Sequence, residues 1–148
     1  MPQSLVLLTD QTNVEACVRS VMRELVASDD KGHLGEDVLQ CSRCVREVPS
    51  LAFDYVDVSL WRVDEEEYAW YLDDADNPED FKAWLTVNVT VACVTFNGPA
   101  YVALFLEKFL TYVLSLGSTV WVDDGDGLMC TGSDFVKLLA QEGWAWRV

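Results

Sequence analysis

Cys41 and Cys44 form a C-x-x-C, the spacing used by zinc ligands and by redox pairs. Zinc takes about four ligands, so Cys17, Cys130 or His33 would have to converge on this pair, and no spacing in the chain demands that. A thioredoxin-like pair would follow a clear strand, and none precedes residue 41. Asp123, Asp124 and Asp126 in "VDDGDGLMC" gather oxygens of the kind hard cations prefer. The glutamate that would complete an EF-hand loop is missing at its distance, and Asp alternating with Gly reads more simply as a turn. His33, the single histidine, lies among glycines with no serine or cysteine nucleophile motif beside it. No Gly-rich phosphate loop or dinucleotide fingerprint occurs. The expectation is a protein with no catalytic residue, no cofactor and no metal. A small enzyme or metalloprotein built from clustered carboxylates or cysteines is the alternative, because acids distant in sequence can meet in space.

The remaining concentration of chemistry is "VDEEEYAWYLDDADNPEDF", residues 63–81, with nine carboxylates, no basic side chain, and Tyr68, Trp70, Tyr71 and Phe81 among them. Between Asp54 and Asp80 lie 11 of the chain's 25 acids, against Arg62 alone. Solvated acid runs seldom hold so many large rings. Clustered carboxylates steer a basic partner, and Trp and Tyr supply the buried anchors that hold it. Glu65, Glu66, Glu67, Asp73, Asp74 and Asp76 are the expected steering charges, with Tyr68, Trp70 and Tyr71 as contacts. The competing expectation is a solvated hairpin whose rings turn into the core.

The whole chain agrees with a protein partner. Its 148 residues and 51% apolar composition suffice for one well-packed domain. Ten basic against 25 acidic residues give a net charge of −15, which argues against contact with nucleic acid phosphates or anionic membranes. The start, "MPQSLVLLTDQ", lacks the basic flank and long apolar stretch of an export signal, so the expected location is the cytoplasm. Five scattered cysteines fit reduced thiols there better than a disulfide framework.

The positioning elements follow from periodicity. Residues 4–9, "SLVLLT", read as a strand covered on both faces. Val14, Cys17, Val18, Val21 and Leu25 mark an amphipathic helix over 13–27, with Thr12 or Asn13 as its cap. "SDDKGHLGED" reads as a loop, and 36–48 carry a faint helical pattern. Val56, Val58 and Leu60 alternate with Asp57 and Ser59, the pattern of a strand with one wet face, and "YAWYL" could return as its hairpin partner. Asn77 caps a short helix that opens at Pro78 and runs through Leu85. A strand over 87–96, a helix over 100–116 ended by Gly117, a strand over 119–123 and a helix capped by Ser133 complete the chain.

Strand, helix, strand, strand, helix, strand is the order of a ferredoxin-like split βαβ plan. The expected fold is therefore a single α+β domain: an antiparallel sheet with helices on one face, an acidic insertion and an extra C-terminal helix. In that plan the first and third strands are the inner pair, and the 56–63 strand falls at an edge. The helix over 100–116 is apolar on nearly every side, so its outer face should be covered by the C-terminal helix with "GWAWRV" or by a second copy, making a homodimer an expectation.

The acid-aromatic insert, "STVWVDDGDG" and the closing "GWAWR" resemble the immunity proteins of bacterial polymorphic toxin systems. The resemblance implies a cytoplasmic antitoxin that binds one cognate toxin domain, often a nuclease or another basic enzyme, and blocks its active site or a neighbouring surface. A phage-type acidic inhibitor that imitates DNA is the rival within binding proteins. It would space its acids like phosphates, with few rings between them.

Overall fold

A computed structural model describes residues 3–44 and 53–142. A seven-stranded antiparallel sheet runs in the order β2-β3-β4-β5-β1-β6-β7. Its strands are β1 (Gln3–Thr9), β2 (Gly32–Leu34), β3 (Gln40–Cys44), β4 (Phe53–Arg62), β5 (Thr90–Asn97), β6 (Val120–Asp123) and β7 (Met129–Thr131). The helices are α1 (Val14–Ala27), α2 (Glu65–Asp73), α3 (Glu79–Trp84), α4 (Pro99–Ser115) and α5 (Gly132–Glu142). The α+β class read from the sequence is what the structure shows.

Strand parity divides the apolar side chains between two cores. Leu5 and Leu7 on β1, Val56 and Val58 on β4, Ala92, Val94 and Phe96 on β5, and Val120 and Val122 on β6 face α1, α4 and α5. Their neighbours of opposite parity, Leu8, Val91 and Trp121, meet Tyr71 of α2 and Phe81 of α3 in a smaller second core. The acidic insertion thus folds as two helices over the other side of the sheet.

β1 and β5 are the inner pair of the four strands recognised in the sequence. The sheet is wider than those four, however, and β4 is not an edge: β3 pairs with it from Gln40↔Asp57 to Cys44↔Phe53, and β2 lies outside β3. Within the stretch read as faintly helical, Gln40–Cys44 is the strand β3 and residues 45–48 lie outside the described residues; only an extended chain sets Cys41 opposite Val56 in the larger core while Gln40 and Ser42 take the other parity. Gly32–Leu34, read as loop, is the short edge strand β2, which leaves His33 exposed. Arg43 on β3 fastens this corner. It reaches Asp54 at 3.3 Å and Asp29 at 3.8 Å, with its guanidinium carbon 4.6 Å from the centre of the buried Tyr101 ring. Gly98, at φ +92°, lets α4 begin beside it, since a Cβ there would meet an Asp54 oxygen at 2.1 Å.

α4 is enclosed by the sheet, α1 and α5, which bury Tyr101, Val102, Phe105, Leu106, Phe109, Leu110 and Val113. Leu104, Tyr112 and Leu116 remain partly exposed among the described residues. The "GWAWRV" expected to cover them lies outside those residues. Among the described residues no helix is long and apolar enough to cross a membrane.

Candidate functional site

The segment that could have returned as a strand, "YAWYL", is helical, and its own polar residues explain why. Asp64 accepts the amide of Glu67 at 2.8 Å, and the Glu67 carboxylate accepts the amide of Asp64 at 3.3 Å. This reciprocal capping box satisfies two backbone donors that a helix start leaves open. Glu65, Glu66 and Glu67 fill the first turn, where the helix dipole favours negative charge. At the other end Asn77 does not cap α3 as its position before Pro78 suggested. Its amide donates to the carbonyl of Tyr71 at 2.9 Å, closing the end of α2 and fixing the turn into α3.

Helical geometry sorts the expected contact residues. Glu67, Tyr68 and Tyr71 share the side turned to the sheet, whereas Glu65, Glu66, Trp70 and Asp73 share the outer side. Tyr71 is 4% exposed, so as a contact residue it is corrected to a core residue. It packs edge-on to Phe81 at 5.5 Å, and Phe81 packs edge-on to Trp121 at 5.4 Å. Burial pushes the Tyr71 phenol well above its ordinary range, and the Asp123 and Glu67 carboxylates add to that rise. Tyr68 is half-buried against the same core. Trp70 is 60% exposed, standing edge-on to Tyr71 at 4.9 Å. Asp74 is half-buried and accepts the amide of Asp76, which lies exposed in the following turn.

Trp61, absent from the expected set, belongs to this surface. It is 41% exposed, and its indole N–H donates to both Glu67 oxygens at 2.9 and 3.0 Å. The signal was in the sequence: Trp61 has the wet parity of Asp57 and Ser59, a costly place for a large ring unless something covers it. The three glutamates consequently differ. Glu67 is occupied by Trp61 and the cap, while Glu66 has no hydrogen-bond or ion-pair partner among the described residues. Among the described residues, Glu66, Glu67 and Trp70 line an open cavity of about 400 Å³.

The other chemical candidates have local roles. Cys41 and Cys44 lie on one extended strand, where residues three apart are separated by about 10 Å, beyond the span of a disulfide. Cys41 is buried and accepts a bond from the Tyr101 hydroxyl at 3.4 Å. Asp123 accepts the Gly125 amide, and Asp124 accepts those of Asp126 and Leu128, so these carboxylates build the turn between β6 and β7. Thr131 accepts the Asp134 amide at 3.2 Å and takes the capping role expected of Ser133. Among the described residues no group of three or more His, Cys, Asp or Glu is arranged to hold a metal ion.

In comparisons with known proteins, the chain matches no family model, no curated protein and no solved structure.

Proposed function

We propose that the chain is an immunity protein that captures and neutralises a basic toxin domain in the cytoplasm through the outer side of α2 and the adjoining Trp61. The observation that carries this reading is Trp70, 60% exposed beside a Glu66 that has no partner among the described residues, on a helix capped at its start and tied at its end. A large ring held in water costs free energy unless a partner covers it, and such rings are the usual anchors of protein interfaces. Glu65, Glu66 and Asp73 share its side of α2 as exposed carboxylates, and Asp76 is exposed in the turn that follows. They raise the encounter rate with a basic protein and repel acidic ones. The rings also favour a protein partner over an imitation of nucleic acid, which would present acids alone.

The test is capture from the native host on immobilised protein, with a Trp70→Ala, Glu66→Lys double variant alongside. A basic protein retained at equal stoichiometry, toxic when expressed alone, rescued by this chain and not by the variant, supports the proposal. Equal retention on both proteins, or a retained protein without toxicity, counts against it.

A further inference from the structure

The Trp70 cavity has a composition that narrows the partner beyond general basicity. Among the described residues its lining is Trp70, whose ring is exposed, with the carboxylate residues Glu66 and Glu67. Glu67 is already held by the Trp61 indole and the Asp64 amide. Among the described residues the charge left to be matched is that of Glu66, which lies one helical turn before Trp70 and so on the same stripe. A group that satisfies both must present a flat, weakly hydrated face to the ring and N–H donors in its plane to a carboxylate. Guanidinium does this. An ammonium is a compact, strongly hydrated point charge that stacks poorly and cannot bond a carboxylate in a two-pronged way.

The molecule contains the same chemistry internally: Arg43 lies 4.6 Å from the centre of the Tyr101 ring while reaching Asp54 at 3.3 Å. A guanidinium set between a ring and a carboxylate is thus an arrangement this chain already uses to fasten β3.

We infer that the cavity is an arginine site, taking one arginine side chain of the partner protein flat against Trp70 with Glu66 as its counter-ion. The inference rests on the proposed docking role of this surface and names the residue that the surface reads.

Two peptides of equal charge test it: one carrying five lysines, and the other with its central lysine replaced by arginine. Binding is followed at low salt through the assigned indole N–H signals of the isotopically labelled full chain. The arginine peptide should bind about threefold or more tighter, the scale of one cation–ring contact, and should shift the Trp70 indole signal most. Trp70→Ala and Glu66→Gln should each erase that preference, so that either variant binds the two peptides with equal affinity. Glu66 has no partner within the described residues, so its variant keeps the fold even if Trp70→Ala disturbs it. Equal affinity for the two peptides overturns the arginine site yet leaves a general acidic docking face standing. If neither peptide binds, the docking face fails together with the arginine site.

Discussion

The Trp61 indole on β4 donates to both carboxylate oxygens of Glu67 on α2, at 2.9 and 3.0 Å, and so joins the sheet to the acidic helix. The same carboxylate closes the capping box through the Asp64 amide. Glu67 therefore serves the fold, whereas Glu66 beside it is exposed on the outer side of α2. Glu67→Ala should lower stability by about 1 kcal/mol, the usual scale of a lost helix cap, with the exposed indole bond adding little. Glu66→Ala should cost less than about 0.5 kcal/mol, as exposed sites without partners do. Urea unfolding of both variants measures the contrast, and equal losses would show that Glu67 has no special structural role.

Adjacent rings on α2 divide in the same manner. Tyr71 is sealed against Phe81, whereas Trp70 lies outside it. Tyr71→Ala should cost about 3–5 kcal/mol, as large-to-small changes in a core do, and should loosen α2 and α3 together because Asn77 holds the Tyr71 carbonyl. Trp70→Ala should cost under about 1 kcal/mol, as surface changes generally do, while abolishing partner capture. A Trp70 variant that unfolds as readily as the Tyr71 variant would contradict this division.

Much of the frame is legible in the sequence because its signals are local. The continuous apolar run of β1, the alternation of β4 and the proline and glycine around α4 each specify an element without outside help. β2 and β3 lack such a signal. They are short, and β3 becomes a strand because β4 offers it an unpaired edge, as β3 then does for β2, a nonlocal condition that periodicity cannot see. In the site, the acids and rings are legible in the sequence but the sides they take are not. On a strand, Trp70 would stand with Tyr68 and opposite Tyr71; on the helix Tyr68 and Tyr71 share the side turned to the sheet and Trp70 stands on the outer one. The Asp64–Glu67 spacing is the cue that decides between them, since an acid followed three residues later by glutamate is what a capping box requires.

The thiols offer a separate check on the interior. Cys17 and Cys41 are buried, and Cys93 and Cys130 are half-buried. Burial raises all four above the ordinary thiol range, and Asp134 and Asp124 help push Cys130 up to about 11. At pH 8 a thiol titrating near 11 is ionised in only about one molecule in a thousand, and only the thiolate attacks an aromatic disulfide reagent. In a Cys44→Ser background, the native protein should therefore label slowly, with Cys17 and Cys41 modified only on unfolding. Rapid labelling of Cys130 at pH 8 would place that thiol in a more polar setting than the one between β7 and α5.

Asp123 gives the stability of the protein a pH dependence whose sign opposes that of an ordinary paired carboxylate. Its carboxyl is raised above the usual range, first by burial, then by the charges of Asp124 and Asp74, with the Gly125 amide pulling the other way. The folded chain therefore holds this proton more firmly than the unfolded chain, for which the ordinary value is about 3.9. The contribution favours folding fully when the pH lies below that unfolded value, and it is lost as pH rises through the higher folded value. Asp123→Asn fixes the neutral form while keeping an oxygen for the Gly125 amide, 2.9 Å away in the wild-type chain. The variant should thus be more stable than wild type at pH 7, with the difference much smaller at about pH 3.5, below the ordinary carboxyl value of about 3.9. Urea midpoints at the two pH values measure this directly. A variant less stable at pH 7 would mean that the ionised Asp123 contributes more to the turn through its charge than it costs by burial beside Asp124 and Asp74.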